Sequence, residues 1–462
     1  MKITVDKNIR YQKMTGFGAS AAWWAQYVGK WNSVNEADGR MKKDIISELL
    51  FSKEKGIGID IFRYNLGGGS ARSGRGDIPD PARRADSFET ENGYDFSRDA
   101  AAVYMMKKAV EDGAENVIFF VNSPIERLTK NSCAHTSKRA FFRTNLSRKN
   151  VPAFCKYVLD VTAHFAAEGV PVKYISPVNE PLWIWNGGQE GCHYSPSQVS
   201  YVMRVFARNI KNYPALAGVK LSGAENGDIR WFNKSYTRAM LKNREVRELC
   251  DGVDVHSYFL HSPLPAFFND RQGFLKRYRK YLDRHFPGVP VNISEWTHMR
   301  GGKDAGMDSA VEQARVMHED ITLLNASSWQ HWIACSMYDY CDGLIYIDNE
   351  KEDFELTGRY YAFGNFSKFI KKGAVRIKAE CDNADMLVSA YEKDGETVIV
   401  VINPGDKAEQ LSFENDVKVY VTDERNGLEG YCFSAGDVFG IAPRSVNTVI
   451  MNEQGKKNGS EG

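Results

Sequence analysis

Between Gly16 and Lys368 the chain alternates short apolar runs with longer amphipathic segments, and it does so eight times. The apolar runs are Gly16–Ser20, Ile59–Asn65, Val117–Asn122, Val172–Glu180, Val219–Glu225, Val253–Tyr258, Val291–Glu295 and Ser328–Ala334. Helical periodicity recurs between most of them, as in Asp99–Glu111, Val151–Ala167, Pro196–Lys211 and Ala310–Asn325. Ser195 before Pro196 fits an N-cap followed by the first helical position. Eight β→α units is the count of a (β/α)8 barrel; a doubly wound sheet also alternates, but usually with fewer strands. A second regularity favours the barrel. Most of the runs end in a polar or aromatic residue: Ser20, Asn65, Asn122, Glu180, Glu225, His256, Glu295 and Trp332. In such a barrel the C-terminal strand ends share one face, so these distant residues would line one site.

After about Phe369 the period changes to two. Val375–Lys378, Met386–Tyr391, Thr397–Ile402, Val417–Thr422 and Thr448–Met451 alternate apolar with polar, separated by Lys393-Asp394-Gly395, Asn403-Pro404-Gly405 and Arg425-Asn426-Gly427. This predicts an antiparallel β-sandwich. Lys2–Gln12 is also strand-like and is expected to pair into the same module. The expected organisation is therefore a (β/α)8 barrel over 16–368, a side sandwich from 1–15 plus 369–455, and a polar, frayed tail over 456–462.

Composition narrows the partners. A net charge of +1 without blocks of like charge gives no footing for nucleic acid or an anionic membrane. No stretch of roughly 18 apolar residues implies a membrane span, and MKITVDKNIRYQ lacks the apolar core of a signal peptide. A cytoplasmic location is expected, with secretion after loss of a leader as the alternative. The 8 cysteines include no C-x-x-C, so reduced thiols are the default, although their even number keeps disulfides open. The sequence leaves the oligomeric state open. Aromatic residues make up 12% of the chain, which suits a large core and equally a groove for flat-faced ligands such as sugars.

Cofactor motifs are weak. Gly16-Phe-Gly-Ala-Ser-Ala21 matches G-x-G-x-x-G/A only formally, because the preceding Ile9–Thr15 is mixed and polar. Gly67-Gly68-Gly69-Ser70 lacks the Lys-Ser/Thr of a phosphate cradle and reads as a turn. The 9 histidines are dispersed, so neither a metal nor a cofactor is expected. What stands out is a pair of strand-end glutamates, Glu180 after Asn179 and Glu295 in Val291-Asn-Ile-Ser-Glu-Trp296. Either alone could be a salt-bridged strand end, since an unpaired buried carboxylate is costly. Two at one barrel mouth, beside aromatics and without metal, suit glycosidic bond cleavage: one carboxyl gives a proton, the other attacks or activates water.

The sequence resembles glycoside hydrolase family 30, of a retaining clan built on a (β/α)8 barrel with an attached β-sandwich. The resemblance runs nearly end to end. It is carried by Gly16-Phe-Gly-Ala-Ser20 with Trp23-Trp24, Arg63-Tyr-Asn-Leu-Gly-Gly68, Asn122-Ser-Pro124, Ser176-Pro-Val-Asn-Glu-Pro181 and Ser294-Glu-Trp296, then by Tyr360-Tyr-Ala-Phe-Gly-Asn-Phe-Ser367 and Pro443-Arg-Ser-Val446. It implies that Glu180 is the general acid/base and Glu295 the nucleophile. Asn179 would donate to the sugar 2-hydroxyl, Tyr258 or His256 would hold Glu295 ionised, and Arg63 would add positive charge. Trp183 would help exclude water from Glu180, and Trp332 would form a platform under the sugar. Trp24, like Trp23 and Trp183, is read equally as substrate contact or barrel packing.

Trp23-Trp24 and Gln189-Glu190-Gly-Cys192 look most like the branch acting on β-1,6-linked galactan side chains of arabinogalactan, placing Gln189 and Glu190, with Asn122, among the substrate-binding residues. The alternatives in the family are β-glucosidase or glucosylceramidase-like action, β-1,6-glucanase and β-xylosidase or glucuronoxylan cleavage; outside it, a non-catalytic sugar-binding protein. One departure stands out. Relatives usually follow Asn-Ser-Pro with a second proline and an aromatic, whereas this chain has Ile125-Glu126-Arg127, which would place two charges beside the sugar.

Overall fold

A computed structural model describes residues 1–75, 77–136, 143–259 and 269–452. The expected tail over 456–462 lies outside these residues. Eight parallel strand positions form the barrel: Gly16–Ser20, Ile61–Asn65, Asn116–Phe120, Val172–Ser176, a fifth in two pieces (Lys220–Leu221 and Ala224–Asn226), Val253–His256, Val291–Trp296 and Ala326–Ser336. Runs such as Asn116–Phe120 are buried throughout, as parallel strands covered by helices must be. The eighth strand pairs with the first, Ser328 opposite Gly16. The fifth strand closes the ring by serving both neighbours: Lys220 lies opposite Tyr174 of the fourth strand, and Ala224 opposite Asp254 of the sixth.

Five long helices, Ala100–Asp112, Val151–Ala167, Pro196–Asn209, Arg271–His285 and Met307–Leu323, stand among those around the ring. Ser195 caps the third with a reciprocal box: Gln198 N–H donates to Ser195 Oγ, and Ser195 N–H to Gln198 Oε1. A hairpin not foreseen in the sequence, Gly343–Asp348 with Asp353–Leu356, extends the sheet beside the eighth strand.

The β-sandwich has a seven-stranded antiparallel sheet, in spatial order Ile3–Lys13, Val375–Cys381, Leu387–Lys393, Glu396–Asn403, Ser445–Asn452, Val417–Thr422 and Gly427–Phe433. The N-terminal strand pairs with Val375–Cys381 as expected, Val5 opposite Ala379. Glu409–Ser412 and Val438–Ile441 form a second, smaller sheet, and Ile377, Ile399, Leu411, Phe439 and Val449 fill a core with residues from both. Helix Gly358–Ser367, buried on nearly every side, joins sandwich to barrel: Phe363 packs on Phe17, while Asn365 donates to Thr422 Oγ1 at 2.6 Å.

Candidate active site

Three strands, the third, fourth and sixth, stop earlier than the apolar runs suggest. The fourth ends at Ser176, where Pro177 has no N–H to continue the ladder, so Glu180 lies in the turn beyond it. There Glu180 adopts φ +40, a left-handed backbone uncommon outside glycine. Its N–H donates to Glu225 O at 2.8 Å, and its carbonyl accepts from Trp183 N–H and from Trp185 Nε1. The third strand likewise ends at Phe120, leaving Asn122 on the loop.

Glu180 and Glu295 line one cavity of about 630 Å³ at the barrel mouth. One oxygen from each carboxylate and a ring nitrogen of His256 all lie within 4.8 Å of one another. His256 Nδ1 is 3.0 Å from Glu180 Oε1 and 3.4 Å from Glu295 Oε1, and Nε2 is 3.0 Å from Glu225 Oε2. Burial would push this imidazole down, but Glu295, Glu180 and Glu225 outweigh it and raise it to about 10. The three carboxylates thus favour the doubly protonated ring, which donates from both nitrogens.

Glu295 also accepts from Arg63 Nη1 at 2.9 Å and from Tyr258 OH at 3.0 Å. Burial pushes Glu295 above the usual carboxylate range; His256 and Arg63 pull it back, and the Glu180 charge opposes them. Arg63 Nη2 donates to Asn179 Oδ1 at 3.2 Å, Asn179 Nδ2 to Asn122 Oδ1 at 2.9 Å, and Asn122 Nδ2 to Asn65 Oδ1 at 3.2 Å. This chain fixes the Asn179 amide, whose second Nδ2 hydrogen has no acceptor among the described residues. The Arg63 guanidinium lies 3.8 Å from the Phe120 ring centroid.

Of the residues singled out in the sequence, Asn179, Glu180, Trp183, Gln189, Tyr258, Glu295 and Trp332 line the cavity. Arg63, Asn122 and His256 are buried behind it and act on the lining residues. Trp24 and Glu190 go elsewhere. The Trp24 indole is buried in the core, its Nε1 donating to Ser20 O, and its neighbour Trp23 faces the cavity instead. Glu190 is buried under the Gly67–Ser70 turn, accepting from Gly68 N–H, Ser70 N–H and Ser70 Oγ. The charges of Glu126 and Arg127 also turn away, into ion pairs with Arg75 and Glu89.

Sequence reasoning missed several groups. Glu225 ends an apolar run, the same signal that marks Glu295, but the sequence alone points to no chemistry for it; it is buried beneath the site, accepting from Ser176 Oγ, Ser294 Oγ and His256. Burial would raise it, but Arg63, His256 and Ser294 hold it down to about 2. Tyr338, Arg83 and Asp342 line the far wall, with Tyr338 OH donating to Asp80 Oδ2 at 2.8 Å and Arg83 4.8 Å from the Trp23 centroid. Trp23 meets Trp332 edge to face, centroids 5.3 Å apart. Asp77, Cys133 and His135 converge outside the cavity although the sequence spacing suggested no metal cluster.

A family model described as O-glycosyl hydrolase family 30 matches residues 1–346. The chain is 22% identical over 441 residues to an endo-β-1,6-galactanase of Hypocrea rufa, covering 89% of this chain and 83% of the relative. Its fold matches a conserved exported protein from Bacteroides fragilis with TM-score 0.86 and 23% identity, covering 98% of this chain and 100% of the other. An endo-β1,6-glucanase shares the fold at TM-score 0.73 and 17% identity, covering 98% and 94%. No described helix is long and apolar enough to cross a membrane. The expectation of a cytoplasmic protein finds no support in these likenesses.

Proposed function

The chain belongs to O-glycosyl hydrolase family 30, and we propose that it hydrolyses β-1,6-linked galactosyl chains by double displacement, with Glu295 as nucleophile and Glu180 as acid/base. The observation that carries the mechanism is the spacing of the two glutamates, which approach within 4.8 Å across the cavity. Retaining glycosidases hold their carboxyl groups about 5–5.5 Å apart, whereas inverting ones need about 6.5–9.5 Å to admit a water. In the first step Glu180 gives its proton to the leaving glycosidic oxygen as a Glu295 oxygen bonds to the anomeric carbon. In the second, Glu180 takes a proton from water, the resulting oxygen displaces Glu295 from that carbon, and Glu295 leaves as a carboxylate.

The hydrogen bonds support this division of roles. Glu295 accepts from Arg63 and Tyr258 and faces His256, three partners that favour the ionised nucleophile; among the described residues Glu180 has His256 alone. The second Nδ2 hydrogen of Asn179 suits the sugar 2-hydroxyl, a contact that strengthens in an oxocarbenium-like transition state. Trp332, braced by Trp23, offers a flat apolar face to a sugar ring. Support for β-1,6-galactan comes from the likeness to the Hypocrea rufa enzyme.

Incubation with β-1,6-galactan, β-1,6-glucan, β-xylan and aryl glycosides tests the substrate, and release of galactose or β-1,6-galacto-oligosaccharides is expected. Cleavage of the glucan or xylan with the galactan untouched would move the specificity to another branch. Glu295→Ala and Glu180→Ala should each abolish turnover of the cleaved substrate. Azide should restore Glu180→Ala on an activated aryl glycoside with a β-azide product, and an α-azide would rule out double displacement.

A further inference from the structure

Asp77, Cys133 and His135 come from two separate loops at the barrel's C-terminal face, after the second and third strands, and none contributes to the catalytic cavity. A carboxylate oxygen, Sγ and a ring nitrogen from the three lie within 4.8 Å of one another. His135 Nε2 is 3.0 Å from Asp77 Oδ2, while Nδ1 is 3.2 Å from the Thr136 carbonyl. Both ring nitrogens therefore face acceptors, and a neutral imidazole has only one N–H to offer. A histidine that donates Nδ1–H to a backbone carbonyl turns the Nε2 lone pair outward, which is the arrangement of a metal-bound histidine.

We propose that Asp77, Cys133 and His135 form a site for a borderline-soft divalent cation, Zn²⁺ by its donor set, that staples the loops at the rim of the cavity. One thiolate, one imidazole and one carboxylate are the donors Zn²⁺ accepts, with a fourth position left for water. Zn²⁺ takes cysteine as its thiolate, so binding at Cys133 would release the Sγ proton. Arg75, whose Nε lies 3.9 Å from Asp77 Oδ2, competes for the carboxylate, but its closer partner is Glu126 at 2.7 Å.

The surroundings say what such an ion would hold. Thr136 N–H donates to Trp185 O at 2.8 Å and Gly191 N–H to Ala134 O at 2.9 Å, so the Cys133–Thr136 segment clasps the loop that carries Trp185 and Gln189 into the cavity. Asn145 Nδ2 fixes the same segment through the carbonyls of Cys133 and His135, each at 3.0 Å. Asp77 belongs to the other loop. Bound metal would tie the two together and leave the chemistry at Glu180 and Glu295 alone.

The test uses the full-length protein, stripped with a chelator and titrated with Co²⁺ and then Zn²⁺. One equivalent of Co²⁺ should give visible d–d bands and a thiolate-to-cobalt charge-transfer band, both erased by Zn²⁺, and Zn²⁺ should raise the melting temperature. Cys133→Ser should lose the charge-transfer band, and His135→Ala should lose tight binding and the rise in melting temperature. Glycoside turnover should keep its kcat in both variants. Absence of stoichiometric binding to the wild-type protein would show a plain Asp77–His135 ion pair and overturn the proposal, as would a charge-transfer band that survives in Cys133→Ser. The wild-type titration decides even if a variant does not fold, and its readout is independent of any glycosidase activity.

Discussion

Tyr258 and Arg63 grip opposite oxygens of Glu295, Oε1 and Oε2, so the carboxylate is fixed in its plane as well as in its charge. Burial raises the pKa of Glu295, and in the proposed role as nucleophile only its ionised form attacks, so activity is expected above that pKa and is expected to be lost as pH falls through it. The acid limb of kcat/KM is therefore expected above the ordinary glutamate range. Tyr258→Phe removes a donor to the charged form, which should move that limb further up and lower kcat/KM by about 10- to 100-fold, the worth of a hydrogen bond to a charged group. A pH–rate profile with an unmoved acid limb would show that Tyr258 packs and does not tune. Glu180 and Glu295 were legible in the sequence because a carboxylate ending an apolar run must have a reason to be there. Tyr338, by contrast, bonds Asp80 across 258 residues, and no local pattern announces such a contact.

The fifth strand shows how an element can be built around a site. Between its two pieces the ladder is interrupted, and the Asp254 carboxylate takes the place of a strand partner, accepting from Ser222 Oγ at 2.6 Å and Gly223 N–H at 2.7 Å. The break lets the second piece carry Glu225 beneath Glu180 and Glu295, and Gly227 follows it, packed against Glu180 and Trp183. A β-carbon at Gly227 would stand 2.3 Å from Trp183 Nε1 and 2.6 Å from Glu180 Oε1. Gly227→Ala should thus displace Glu180 and Trp183 and cut kcat by roughly 10-fold or more, a displacement of about 1 Å being costly in catalysis. The melting temperature should hardly change, since the displaced groups border a cavity; a full-rate variant would show that the pair tolerates the shift. All eight barrel strands could be read from the sequence because buried parallel strands are apolar on both faces. The break at the fifth could not, since Val219–Glu225 is as apolar as its neighbours. The same limit hid Gly427–Phe433, a largely exposed edge strand whose residues need no apolar face.

Barrel and sandwich share one apolar core: Tyr391, Val398, Val400, Ile402 and Val446 of the sandwich join the cluster that runs through the barrel. That shared core is expected to couple the unfolding of the two units, so that ionisable groups in either report on the same transition. Several buried carboxyls are scattered through the protein. Burial raises Asp60, Asp99, Glu190 and Asp254 to about 7 and Asp342 to about 6. Each has a folded pKa above its unfolded one, so the folded state holds more protons between the two values. The stability they confer is complete below the unfolded carboxylate range and is lost as pH rises through their folded values. Glu225, held down to about 2, works the other way: its contribution is present above the unfolded range and lost as pH falls toward that value. The two trends bracket an optimum on the mildly acidic side. The melting temperature is expected to be highest near about pH 5 and to fall by several degrees by about pH 7.5, in one cooperative transition. Glu190→Gln, neutral at every pH and still able to accept from Gly68 N–H, should flatten part of that decline. Calorimetry across this range checks both statements, and a melting temperature that climbs from pH 5 to neutrality would mean these carboxyls ionise in the folded protein without resistance.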